Sequence, residues 1–190
     1  MLINEIFYSL QGEGIRAGVA SIFVRLAKCD LSCGFCDTEF ESGKELSTFE
    51  LYQKIKQFPC REIVWTGGEP LLQLTEKEIA YFKGLGYYQC IETNGNNKPP
   101  SNIDFITLSP KVAEHVLEKN FSKVNEIKYV RHKGQLSVPE TKIIADYYFL
   151  SPMFNGNQVD MENLNHCINL IKENPKWRLS IQLHKFLRIL

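Results

Sequence analysis

Short β-rich runs alternate with helix starts along this chain, and that alternation sets what it can fold into. The runs fall at residues 21–26, 62–65, 88–92, 104–108, 126–130, 147–150 and 177–183, and several have few polar interruptions. Such runs suit parallel strands buried on both faces. Ser47-Thr48-Phe49-Glu50, Thr75-Glu76-Lys77-Glu78 and Ser137-Val138-Pro139-Glu140 each place a hydroxyl three residues before a Glu, the capping-box pattern of a helix start. A last helix is predicted between Asp160 and Glu173, where Leu164, Cys167, Ile168 and Ile171 recur at helical spacing. Asn97-Lys98-Pro99-Pro100 and His132-Lys133-Gly134 read as loops. The pattern predicts a parallel α/β fold. With 190 residues, a full eight-fold barrel of about 250 residues does not fit. An incomplete TIM-like barrel, a single domain over residues 1–190, does.

Charge narrows the function. Lys plus Arg and Asp plus Glu both total 22, so there is no basic surplus to neutralise phosphates, and no nucleic-acid partner is expected. Apolar runs are too short to span a bilayer, so no membrane partner is expected either. The first residues, Met1-Leu2-Ile3-Asn4-Glu5, lack the basic n-region of a secretion signal. The expected location is cytoplasmic, where cysteines bind metals, react or pack rather than form disulfides.

Three of the six cysteines lie within eight residues, Cys29-Asp30-Leu31-Ser32-Cys33-Gly34-Phe35-Cys36, directly after a predicted strand. In parallel α/β folds the loops after strand C-termini carry the sites. Structural zinc asks for four ligands, and only Cys33 and Cys36 have Cys-x2-Cys spacing, with no second Cys or His pair following. Three thiolates can ligate three irons of a [4Fe–4S] cluster and leave the fourth open. Cys60, Cys90 and Cys167 sit in or beside apolar runs and read as core thiols.

Cys-x3-Cys-x2-Cys resembles the cluster motif of the radical S-adenosylmethionine superfamily. A second segment, Thr66-Gly67-Gly68-Glu69-Pro70, resembles the superfamily's Gly-Gly-Glu-Pro motif, which binds the cofactor's amino group. In that superfamily the open iron is chelated by the cofactor's methionine part. An electron then cleaves the sulfonium and releases a 5′-deoxyadenosyl radical.

Other segments are similar to the 7-carboxy-7-deazaguanine synthases and span the chain. They include Leu10-Gln11-Gly12-Glu13-Gly14, Arg25, Cys36-Asp37-Thr38, Glu92-Thr93-Asn94-Gly95, Ser109-Pro110-Lys111 and Gln182-Leu183-His184-Lys185. The resemblance implies conversion of 6-carboxy-5,6,7,8-tetrahydropterin to 7-carboxy-7-deazaguanine with loss of ammonia, on the route to queuosine and other deazapurines. It implies Mg²⁺ at Thr38. It implies cofactor contacts at Phe35, Cys36, Asp37, Gly68, Glu69, Ser109, Pro110, Lys111 and Ser151. Substrate contacts are implied at Leu10, Gln11, Gly12, Glu13, Arg25, Thr66, Glu92, His184 and the terminal Leu190. It also implies a homodimer and a flavodoxin or ferredoxin as electron donor. Ser151-Pro152-Met153-Phe154 departs from the more polar stretch expected near the cofactor ribose, and Leu190 stands where a proline is expected. Two rivals remain at this level. A glycyl-radical activase would share the triplet without needing Gln11-Gly12-Glu13 or His184, and a metal-binding module would lack turnover.

Overall fold

In a computed structural model, residues 1–190 are described except for Phe35, Asp37, Thr38, Asn157 and Leu190. The strands are β1 (Leu2–Leu10), β2 (Ala20–Leu26), β3 (Lys44–Glu45), β4 (Glu62–Gly67), β5 (Tyr88–Thr93), β6 (Phe105–Leu108), β7 (Lys123–Arg131), β8 (Ile144–Pro152) and β9 (Trp177–Leu179). They form one nine-stranded sheet in the order β3-β1-β2-β4-β5-β6-β7-β8-β9. From β2 to β9 every pairing is parallel, while β1 is antiparallel to both β2 and β3. The sheet does not close: the two-residue β3 and the three-residue β9 are its edges. The architecture is the expected partial TIM-like barrel.

The helices are α1 (Thr48–Ile55), α2 (Glu76–Gly84), α3 (Glu114–Asn120), α4 (Met161–Glu173) and α5 (Leu183–Leu187). The Ser47 and Thr75 capping boxes form as predicted, and Asp160 caps α4 through Glu162 and Asn163 N–H groups. The third pattern, at Ser137, starts no helix. Its Pro139 is followed by Thr141 and Lys142, whose hydroxyl and backbone N–H both go to the Glu114 carboxylate (2.8 and 2.7 Å), so the segment stays extended into β8. The predicted strand 177–183 ends early, at Leu179, and Leu183 opens α5. Sequence periodicity missed β1 and α3.

Outward-facing Val24, Ile63, Trp65 and Ile91 pack under α1 and α2 with Leu51, Ile55, Ile79 and Phe82. A second core joins β7 and β8 to Leu117, Cys167 and Leu170. The inner face is layered, as barrel interiors are. Phe23, Val64, Cys90 and Phe105 share one register row and form a closed apolar cluster with Phe7. Below it Ser21 and Arg16 both bond the Glu62 carboxylate, and the Arg16 guanidinium lies 5.3 Å from the Phe105 ring. Above it, toward the strand C-termini, the inward residues turn polar: Arg25 beside Thr66, then Glu92, Thr107 and Glu126.

Phe82 is fully buried and meets Trp65, Tyr81 and Tyr87 edge to face at 5.3, 5.2 and 6.0 Å. Phe82→Ala should cost about 3–5 kcal/mol in denaturant unfolding.

Candidate active site

The site is built at the C-terminal ends of the parallel strands, and two glycines set its floor. Gly67 has φ +111°, which side chains resist. At Gly68 a Cβ would collide with the Lys28 carbonyl. Only glycine therefore lets the turn after β4 lie against the chain leading into Cys29. Backbone bonds lock the approach: Gly68 N–H to Leu26 O and Glu69 N–H to Lys28 O, both 2.9 Å. Lys28 itself holds φ +71°, a rare conformation at the mouth of the cysteine loop.

Glu69 is wholly buried. Its carboxylate accepts from Thr93 Oγ1 (2.8 Å), Asn94 N–H (2.8 Å) and Leu71 N–H (3.0 Å). Burial pushes its pKa up to about 7 even against these bonds. The carboxylate thus ties the turn after β4 to the loop after β5. Among the described residues, it lines neither of the two cavities on which the other candidates gather.

The loop after β5 reaches in turn to the cysteine loop. Asp30 accepts from the side-chain amides of Asn94, Asn96 and Asn97 at 2.9, 2.8 and 2.9 Å. Despite partial desolvation, these donors hold its carboxyl below the ordinary range.

Cys29, Cys33 and Cys36 line a cavity of about 560 Å³ together with Gly68, Ser109, Lys111 and Ser151. Burial leads the causes that raise the Cys29 thiol pKa, with Asp30, Glu69 and Cys33 adding to it. Burial and then Lys128 push the Lys111 ammonium down to about 8. Among the described residues no three His, Cys, Asp or Glu side chains converge tightly enough for one metal ion. A cubane cluster asks for something else, one thiolate per iron around a shared space. Three thiols on one cavity wall, beside glycine backbone, fit that group. Pro110 lies on a neighbouring cavity with Cys33 and Lys111. Phe35, Asp37 and Thr38 lie outside the described residues.

A larger cavity, about 830 Å³, collects Leu10, Gln11, Gly12, Glu13, Arg25, Thr66, Glu92 and His184. Glu92 accepts from Gln11 Nε2 (2.9 Å) and Thr66 Oγ1 (3.1 Å), so its carboxylate is aimed by two elements. Arg25 Nε pairs with Glu5 at 3.2 Å, and its guanidinium lies over Phe7. Gly12 admits the His184 ring, which a Cβ would strike, and its carbonyl accepts from Leu183 N–H at 2.9 Å. Thus α5 is held over this cavity by the loop after β1. Leu190 lies outside the described residues. Glu13, Thr66, Glu92, Gln182 and Lys185 line both cavities, so the two spaces share a wall.

Several working residues were not among the predicted site residues. Lys128 is buried and paired with Glu13, which also accepts from Gln182 Nε2 at 3.2 Å. Glu126 accepts from Ile15 N–H at 2.8 Å, and Ser180 Oγ accepts from Gly14 N–H at 3.0 Å. One clue existed: Glu126 and Lys128 interrupt an apolar run at strand spacing, which puts both on one face. Cys90 and Cys167 are buried, as expected of core thiols, and Cys60 is half-buried against the Ala20 carbonyl.

Replacing Asp30 removes charge-assisted bonds of about 1.5–3 kcal/mol each when fully formed. Asp30→Ala should therefore speed amide hydrogen exchange at residues 29–34 by at least about tenfold and leave exchange in α2 unchanged.

No protein-family model matches the chain. Curated relatives do. The 7-carboxy-7-deazaguanine synthase of Haemophilus influenzae is 39% identical over 196 residues, covering 98% of this chain and 93% of the relative. The enzyme of the same name from Bacteroides thetaiotaomicron is 36% identical over 187 residues, covering 98% and 97%. The crystal structure of QueE from Escherichia coli superposes with a TM-score of 0.75 at 26% identity, covering 96% of this chain and 94% of that one. With identity at this level over nearly the whole length of both proteins, this chain belongs to the 7-carboxy-7-deazaguanine synthase family.

Proposed function

We propose that the chain, acting as one unit over residues 1–190, converts 6-carboxy-5,6,7,8-tetrahydropterin to 7-carboxy-7-deazaguanine with loss of ammonia, as a radical S-adenosylmethionine lyase of deazapurine biosynthesis. One observation carries the reading. Cys29, Cys33, Cys36, Gly68, Ser109, Lys111 and Ser151 line one cavity, Leu10, Gln11, Gly12, Arg25 and His184 line another, and Glu13, Thr66 and Glu92 stand on the wall between.

Cys29, Cys33 and Cys36, which line one cavity, would hold the [4Fe–4S] cluster. With S-adenosylmethionine bound beside it, that centre would supply the hydrogen-abstracting chemistry that a ring contraction needs. Backbone at Gly68 and the side chains of Ser109, Lys111 and Ser151 line the space for that cofactor. Glu69 supports it from behind by holding the turn after β4 in place. In the pterin cavity, Glu92 accepts from the amino-lactam edge of the ring, steadied by Gln11 and Thr66. Arg25 offers its fork to the substrate carboxylate. Leu10 and Gly12 present backbone, and His184 closes the cavity from α5. Phe35, Pro110 and Asp37 complete the cofactor contacts and Leu190 the substrate contacts by family resemblance. The same resemblance adds Mg²⁺ at Thr38, a homodimer, a flavodoxin or ferredoxin donor and a cytoplasmic setting. No helix is long and apolar enough to cross a membrane among the described residues.

The test is an anaerobic assay of reconstituted protein with dithionite, S-adenosylmethionine, Mg²⁺ and the tetrahydropterin, read by mass spectrometry. The expected product is 7-carboxy-7-deazaguanine. Release of 5′-deoxyadenosine without it would overturn the substrate. Cys33→Ala should abolish cluster binding and cofactor cleavage. Arg25→Ala should keep the cluster and raise the KM for the pterin by about tenfold or more, as loss of a charge-assisted pair implies.

A further inference from the structure

Lys128 is an ammonium in the middle of a strand, and its placement is costly unless it is used. It lies on β7, one inward position beyond Glu126, and is 7% exposed. Its Nζ pairs with Glu13, whose other oxygen accepts from Gln182 at 3.2 Å. Of these two cavities Lys128 lines the one with the cysteines, while Glu13 lines both. The charged groups around the pair come from four elements. Glu92 on β5 and Glu126 on β7 face Lys128, Lys111 after β6 opposes it, and His184 on α5 faces Glu13. A buried ion pair adds little stability over an apolar pair of similar size. Stability alone therefore does not explain why the pair stands at the joint of two cavities.

We propose that Lys128 is a positioning residue for the pterin reaction: from the cofactor side of the wall it holds the Glu13 carboxylate ionised and aimed as an acceptor for a ring N–H of the substrate. The proposal rests on the reaction given above. Burial by itself would raise the Glu13 pKa. Burial is the largest single influence, but the Lys128 charge and hydrogen bond, the Gln182 hydrogen bond and the His184 charge together outweigh it and hold the carboxyl below its ordinary value. Without Lys128, burial has no strong opponent and Glu13 takes up a proton at higher pH. The acceptor is then lost first at the acidic end of the working range.

The experiment compares anaerobic kinetics of the reconstituted wild type, Lys128→Met and Lys128→Arg between pH 6 and pH 8. Lys128→Met should raise the pterin KM by about tenfold or more, since breaking a buried pair strands the remaining charge, and the rise should be larger at pH 6 than at pH 8. Its KM for S-adenosylmethionine should rise less than the pterin KM, and Lys128→Arg should recover most of the pterin affinity. Where Lys128→Met does not fold, Glu13→Gln carries the test. It mimics the protonated acid, so it should raise the pterin KM equally at both pH values. An unchanged pterin KM in Lys128→Met, or a rise confined to S-adenosylmethionine, overturns the proposal, as does a wild-type pterin KM in Glu13→Gln. A wild type that does not convert the pterin overturns the assigned reaction instead.

Discussion

Two register rows on the inner face of the sheet stand a single strand repeat apart, and their contrast organises the molecule. Phe23, Val64, Cys90 and Phe105 form the lower row, sealed by Phe7. Arg25, Thr66, Glu92 and Thr107 form the upper one. Side chains on one face of a strand recur every second residue, so one step toward the strand C-termini exchanges a dry interior for a polar basin. Parallel pairing keeps those steps aligned across the sheet. The polar ends of separate strands therefore arrive at one height, which no single loop could arrange.

Above that height the loops are held by carboxylates rather than by apolar packing. Glu69 clasps the loop after β5, that loop's asparagines clasp Asp30 between Cys29 and Cys33, and Glu126 clasps the segment after Gly14. Each acid accepts N–H groups that would otherwise end unpaired near a cavity. Such a scaffold suits a site that must bind two polar molecules side by side. It gives fixed acceptors without filling the space.

The chemistry was more legible in the sequence than the frame. Cysteine spacing and the Gly-Gly-Glu-Pro segment are local patterns, and the structure brings Cys29, Cys33, Cys36 and Gly68 to one cavity. The Ser47 and Thr75 capping boxes are local too, and both form. The Ser137 pattern failed because its partner, Glu114, is distant in sequence and takes the N–H of Lys142. Strand β1 escaped notice because its burial alternates weakly and its antiparallel place beside β2 depends on tertiary pairing. Lys128 escaped because its meaning lies in Glu13, more than a hundred positions away. Glu69 shows a finer gap: its motif was visible, but not that its carboxylate points inward to Thr93 and Asn94.

The open sheet leaves two strand edges that a closed barrel would not have. Unpaired edges template association with other chains unless they are short or charged. Here β3 is two residues long and carries exposed Lys44 and Glu45, and β9 is three residues long with exposed Arg178. Each edge offers too few backbone groups for a foreign strand to register against, and a charge stands where that strand would lie. The molecule can thus forgo closure, and the loops that take its place, without becoming a seed for aggregation.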